Sequence, residues 1–216
     1  MRFVYLHGFA SSPGSKKAQF FRERFAELGI GLEIPALDGG NFEGLTITGQ
    51  LEVIERAAGG EPVSLFGSSM GGYLAALYAA GHAEVEKLVL MAPAFSFPAR
   101  WPETLGEEAM EDWKRTGVRK FFHYSEGREV ALGYQLIEDA QRYPAYPSFQ
   151  QPALIFHGKN DATVPAEYSV TFAQSHPNAR LYLMESDHEL GNVMDEMWMG
   201  AEEFLFGPGV GNSTRR

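Results

Sequence analysis

The chain has 216 residues, 44% of them hydrophobic and 13% aromatic, enough to bury a sizeable core within the usual size of one domain. Its formal net charge of −10 at pH 7 argues against a nucleic-acid partner, because binding to a phosphate backbone relies on lysine and arginine. The absence of cysteine excludes a disulfide framework, a thiolate metal site and a cysteine nucleophile, and no apolar run approaches the ~20 residues of a membrane span.

The first strand is expected at Phe3–His7, followed by a helix over Lys16–Leu28 that Ser15 caps, with Phe21, Phe25 and Leu28 on one face and Gly29 as its stop. A short strand at Leu32–Ile34, a helix at Ile47–Ala57 and a strand at Val63–Phe66 come next. The alanine-rich run Gly72–Ala80 predicts a helix closed by Gly81, and Lys87–Met91 predicts a strand. Further on, strands at Ala153–His157 and Arg180–Met184 alternate with helices at Ala166–Gln174 and Val193–Leu205. Short strands that lack polar alternation are buried on both faces, so about six of them separated by helices imply a mostly parallel, doubly wound α/β sheet.

The rhythm breaks between Ala94 and Gln151, a segment holding 11 of the 28 aromatic residues. It reads as a small helical cap inserted at 94–151 into a single domain of residues 1–206, with 207–216 as a flexible tail. The N-terminal run is too soon interrupted to be a signal peptide, and with the lack of cysteine this points to a soluble cytoplasmic protein.

Gly67-Ser68-Ser69-Met70-Gly71 follows an apolar strand and opens a helix. That is the context of a nucleophile elbow, a sharp turn that exposes a serine, and the pattern centres on Ser69. A serine hydroxyl needs a base, and the base needs an orienting group. In the elbow's chain order the acid and then the histidine follow later strands. Asp161 lies just after the strand ending at His157, and His188 just after the strand ending at Met184, so Ser69, Asp161 and His188 are the candidate catalytic residues. Taken singly, Asp161 reads as a turn residue and His188 as an exposed loop residue; their joint order favours the triad. Donors for a developing oxyanion are expected from the backbone N–H groups of Met70 and of Phe9, in the loop after the first strand.

Together Tyr5–Pro13, Gly67–Gly72, His157–Pro165 and Ser186–His188 resemble the α/β-hydrolase superfamily. The opening motif is similar to the small bacterial YqiA/YcfP-type esterases, and the surroundings of Tyr124-Ser125-Glu126 and Leu136-Ile137-Glu138 resemble the abhydrolase group that cleaves acyl thioesters and acyl glucuronides. The resemblance implies an acyl-enzyme on Ser69, a small ester or thioester substrate and no cofactor. Relative to the larger family, the chain starts at what resembles the third strand. A sheet edge is therefore expected to stand open for pairing between chains, in a monomer or a homodimer.

Other chemistries fit the residues less well. Five residues separate Gly8 from Gly14 where the phosphate-cradling loop needs four, and Ser15 stands where that motif needs lysine. None of the six histidines pairs at i, i+4 on a helix with an acidic partner, so no metal site is expected; His82 and His176 read as surface residues, and His157 as support for the sheet end. A hydrolase-fold receptor or interaction module without catalysis is the alternative from another class. Phe95, Phe97, Trp101 and Trp113 either line an acyl pocket or glue the cap to the sheet. The basic run Lys114–Lys120 either attracts an anionic leaving group or is a solvated helix end.

Overall fold

A computed structural model describes residues 1–208. The expectation of a flexible tail therefore lies, from residue 209 on, outside the described residues. Five parallel strands, β1 (Arg2–Leu6), β2 (Val63–Ser68), β3 (Val85–Met91), β6 (Ala153–Gly158) and β7 (Ala179–Met184), form the main sheet in the order β1-β2-β3-β6-β7. Alternate residues of β1, β2, β3 and β6 feed two separate cores, whereas the edge strand β7 leaves Tyr182 and Leu183 exposed. Val4, Leu65, Leu88, Leu90 and Ile155 point to one face, and Phe3, Tyr5, Phe66, Val89, Leu154 and Phe156 to the other. Two-sided burial is the reason the inner strands β2 and β6 and the second half of β3 read as unbroken apolar runs.

On the second face lie α1 (Lys16–Glu27) and α8 (Met194–Phe206); Phe21 and Phe25 of α1 pack against Phe66, and Trp198 of α8 packs against both of them. The first face carries α2 (Ile47–Ala58), α3 (Met70–Gly81) and α7 (Glu167–Ser175). Ser15 caps α1 by accepting from the Ala18 N–H, as expected. Helix α3 is buried on nearly every side, which explains its lack of a polar stripe.

Three expectations are corrected. The sheet has five strands and not six, because Leu32–Ile34 is reduced to one bridge between Glu33 and Val4. That short segment still covers part of the β1 edge: the Glu33 N–H donates to the Phe3 carbonyl at 2.9 Å, and the Tyr5 N–H to Glu33 at 2.8 Å. Secondly, the segment between β3 and β6 is not wholly helical. Helices α4 (Phe97–Leu105), α5 (Glu107–Thr116) and α6 (Gln135–Ala140) enclose an antiparallel hairpin of β4 (Val118–His123) and β5 (Arg128–Gly133). Strand β4 has the alternation of a half-buried strand: Phe121 opposes Val130 beneath the hairpin, and Phe122 stands outside. Thirdly, His176 is buried, stacked 3.8 Å from Phe172, while His82 is half-buried on Tyr78. Among the described residues, no helix is long and apolar enough to cross a membrane.

Candidate active site

The carboxyl ends of β2, β6 and β7 converge, as open α/β sheets require of a site. At the end of β2 the backbone turns so sharply that Ser69 takes φ 54° and ψ −118°, a strained conformation for a residue with a side chain. Two close approaches permit this turn. A Cβ on Gly67 would lie 2.4 Å from the Gly71 carbonyl oxygen, and one on Gly71 would lie 2.1 Å from that of Leu6. The Ser69 N–H donates to Met91 at 2.9 Å, and the Ser69 carbonyl accepts from Ala94 at 2.9 Å, so β3 and the chain beyond it brace the elbow.

The structure brings the three sequence-predicted side chains together. His188 Nε2 lies 3.1 Å from Ser69 Oγ, and His188 Nδ1 lies 2.7 Å from Asp161 Oδ2. A carboxylate can only accept, so Nδ1 carries the proton and the Nε2 lone pair faces the serine hydroxyl. Two contacts lace the acid loop to the histidine loop: the Lys159 N–H donates to the Met184 carbonyl at 2.9 Å, and the Asn160 N–H to the Ser186 carbonyl at 3.0 Å.

Asp161 is saturated with donors. Its Oδ1 accepts from the backbone N–H groups of Thr163 at 2.9 Å and Val164 at 2.7 Å, and its Oδ2 accepts from His188 and from His157 Nε2 at 3.1 Å. Burial works against the charged carboxylate. The hydrogen bonds from His157 and His188, the attraction of the imidazolium that His188 becomes on protonation and the Val164 N–H outweigh it and hold Asp161 well below the usual carboxylate range.

His157 is thus more than support for the sheet end. It is fully buried, its Nε2 also lies 2.7 Å from the Val164 carbonyl, and its Nδ1 faces Ser169 Oγ at 2.7 Å. The carbonyl can only accept, which places the proton on Nε2 and leaves Nδ1 to accept from the serine. Sequence reasoning misses this pairing: the i, i+4 spacing of His157 and Asp161 spans a strand end and not a helix, where it prescribes no contact.

The loop after β1 lies against the elbow, with a Cβ on Gly8 placed 3.4 Å from that of Ser69. Among the described residues, neither the Phe9 nor the Met70 N–H has a protein acceptor. The loop is held from both sides. His7 Nε2 accepts from the Leu37 N–H at 3.2 Å, its Nδ1 donates to the Gly8 carbonyl at 3.0 Å, and the Ala10 carbonyl accepts from the Tyr124 N–H of the hairpin at 2.9 Å. Burial lowers the affinity of His7 for a second proton.

Of the aromatic residues expected to line an acyl pocket, Phe95 and Trp113 are corrected to packing roles. Both are fully enclosed; Phe95 stacks 4.2 Å from Phe172, and the Trp113 ring N–H donates to the Leu132 carbonyl at 3.0 Å. Phe97 is also buried, against Tyr73. Trp101 is half-buried, with its ring centroid 5.5 Å from Phe9 and 5.3 Å from Phe121. In the basic run, Lys114 and Arg115 form the last turn of α5, where positive charge complements the helix end, and Arg115 is paired with Asp112.

Sheet order, elbow and loop placement together define an α/β-hydrolase fold. Solved structures share it: mouse alpha/beta hydrolase domain-containing protein 10 matches with a TM-score of 0.79 at 20% identity, over 94% of this chain and 88% of that one. Est1E from Butyrivibrio proteoclasticus matches at 0.76 and 20% identity, over 94% and 86%. The monoacylglycerol lipase of Paleococcus ferrophilus matches at 0.70 and 18%, over 98% and 94%. No curated protein matches the sequence significantly. The chain belongs to the Uncharacterised protein family UPF0227, whose family model matches residues 2–204.

Proposed function

We propose that this protein is a serine hydrolase that cleaves carboxylic esters or thioesters through an acyl-enzyme on Ser69. The observation that carries the reading is the continuous hydrogen-bonded line from Ser69 Oγ through His188 to Asp161, at 3.1 and 2.7 Å. In this mechanism His188 takes the serine proton as Oγ attacks the substrate carbonyl carbon, and Asp161 stabilises the imidazolium without itself taking the proton. The free N–H groups of Phe9 and Met70 stabilise the oxyanion, each such donor being worth roughly 10²- to 10³-fold in rate. His188 then returns the proton to the departing alkoxide or thiolate. Water then attacks the acyl carbon, giving a proton to the same histidine, and the acid departs as the Oγ–acyl bond breaks and His188 returns that proton to Ser69 Oγ.

The aromatic wall of Phe9, Trp101 and Phe121 beside the oxyanion loop favours an apolar or aromatic acyl group. A ferulic acid complex of Est1E, whose chain matches with a TM-score of 0.77 at 22% identity, supports the same direction. The test is labelling by a fluorophosphonate together with hydrolysis of p-nitrophenyl esters of graded chain length. Wild type is expected to label and to turn over, and Ser69→Ala to do neither. An unlabelled wild type overturns the reading in favour of a non-catalytic module, and a Ser69→Ala variant that still labels at the same rate overturns it by placing the nucleophile elsewhere.

A further inference from the structure

Among the described residues outside the triad, one charged side chain reaches the nucleophile elbow. Lys17 stands in the first turn of α1, and its Nζ donates to Ser68 Oγ at 3.0 Å, on the residue directly before the nucleophile. Ser68 is itself buried, and the enclosed phenol of Tyr5 on β1 faces the same hydroxyl. An ammonium taken out of water is costly unless it is matched by acceptors and opposite charge. Burial pushes Lys17 down from the ordinary lysine value, and Glu189, Asp161 and Asp187 oppose this by favouring its charged form.

The position of this contact in the chain gives it a consequence. The segment from Leu6 to Lys17 carries the Phe9 N–H, and the segment from Ser68 to Met70 carries both the nucleophile and the Met70 N–H. The first segment is fastened at its start by β1 pairing with β2, where Leu6 sits opposite Gly67, and in its middle by His7 on Leu37 and by Ala10 on Tyr124. Neither of these two middle contacts reaches the elbow. At its far end Lys17 closes the circuit back to Ser68.

We propose that Lys17 is a positioning residue for the oxyanion hole: by donating to Ser68 Oγ it clamps the start of α1 to the elbow and sets the spacing between the Phe9 and Met70 N–H groups. The inference rests on the Ser69 reading above. It differs from recognition of an anionic substrate by Lys17, because a clamp acts on the transition state while leaving ground-state binding unchanged. Misplacing a donor by a fraction of an ångström forfeits part of what that donor contributes, so a loss of about tenfold or more in kcat is expected.

The experiment compares wild type with Lys17→Met, Ser68→Ala and the double variant. It reads kcat and KM on p-nitrophenyl acetate and the inhibition constant of a trifluoromethyl ketone, whose adduct places an oxyanion in the hole. Expected are a fall in kcat with KM within about twofold, a matching fall in affinity for the ketone, and a double variant no worse than Lys17→Met alone, since both changes break one link. Lys17→Arg, which restores a donor, is expected to recover part of kcat. Ser68→Ala removes a single oxygen atom and keeps the test available if Lys17→Met does not fold. A rise in KM with kcat unchanged, losses that multiply in the double variant, or ketone affinity equal to wild type overturns the clamp. A wild type that fluorophosphonate labels, combined with Lys17 and Ser68 variants that behave like it, removes this inference alone; a wild type that does not label removes the serine reading.

Discussion

Replacing Asp161 with asparagine isolates the electrostatic part of the site, because the two side chains have nearly the same shape. The four donors around the carboxylate decide where the new amide must sit. Oδ1 receives two backbone N–H groups, from Thr163 and Val164, which cannot move without rebuilding the turn. The asparagine oxygen therefore stays there, and its NH₂ group faces His188 Nδ1 and His157 Nε2. Two donors cannot share that position, so His188 takes the other tautomer, with a proton on Nε2 aimed at Ser69 and no lone pair to accept one. By analogy with the same exchange in serine proteases, kcat is expected to fall about 10⁴-fold, which at about 1.36 kcal/mol per decade is about 5 kcal/mol of transition-state stabilisation. The lost charge-assisted hydrogen bonds cost a further 1.5–3 kcal/mol or so of folding stability each. The assays are kcat/KM on p-nitrophenyl acetate, the rate constant of fluorophosphonate labelling, and urea unfolding. A folded Asp161→Asn protein that labels within tenfold of wild type would refute the tautomer argument.

Three further outcomes follow from the same coordinates. Ser64 Oγ is buried in β2 with no hydrogen-bond partner among the described residues, so Ser64→Ala is expected to leave unfolding free energy unchanged or to raise it by about 1 kcal/mol; a loss above that magnitude in urea contradicts the reading. Gly71→Ala would bring a methyl to 2.1 Å from the Leu6 carbonyl oxygen, backbone that cannot swing aside, and is expected to cost more than about 3 kcal/mol, whereas stability within 1 kcal/mol of wild type refutes the close approach. His7 is held neutral in the fold, while in the unfolded chain it gains a proton near the ordinary value of about 6.5. Its contribution is therefore complete above that value and declines as pH falls through it, since the unfolded state then binds more protons. The melting-temperature gap between wild type and His7→Gln is expected to narrow from pH 7.5 to 5; a gap that widens reverses the sign and the argument.

Much of the site was legible without coordinates. Two-sided burial left β2, β3 and β6 as continuous apolar runs, and the elbow glycines flank Ser69 because the chain crowds there. Asp161 and His188 could be found because the elbow motif prescribes which strand ends to search. The cap was less legible. Its aromatic richness is shared by residues with opposite fates: Trp113 is sealed in the core, whereas Trp101 stands beside Phe9, and nothing in their neighbours along the chain separates them. The hairpin of β4 and β5 was hidden because charged Arg119 and Lys120 interrupt its apolar alternation.

By itself the sequence determined the layered α/β architecture and singled out Ser69, Asp161 and His188 as residues to be brought together, since periodicity and turn chemistry are local properties that a linear pattern records. Only the tertiary structure decided that His157 shares Asp161 with His188, and that Lys17 reaches Ser68 across 51 positions of chain. Those pairings depend on which side chains two loops present to each other once the sheet has closed. No spacing rule encodes that meeting, because its partners become neighbours only through the packing of everything between them.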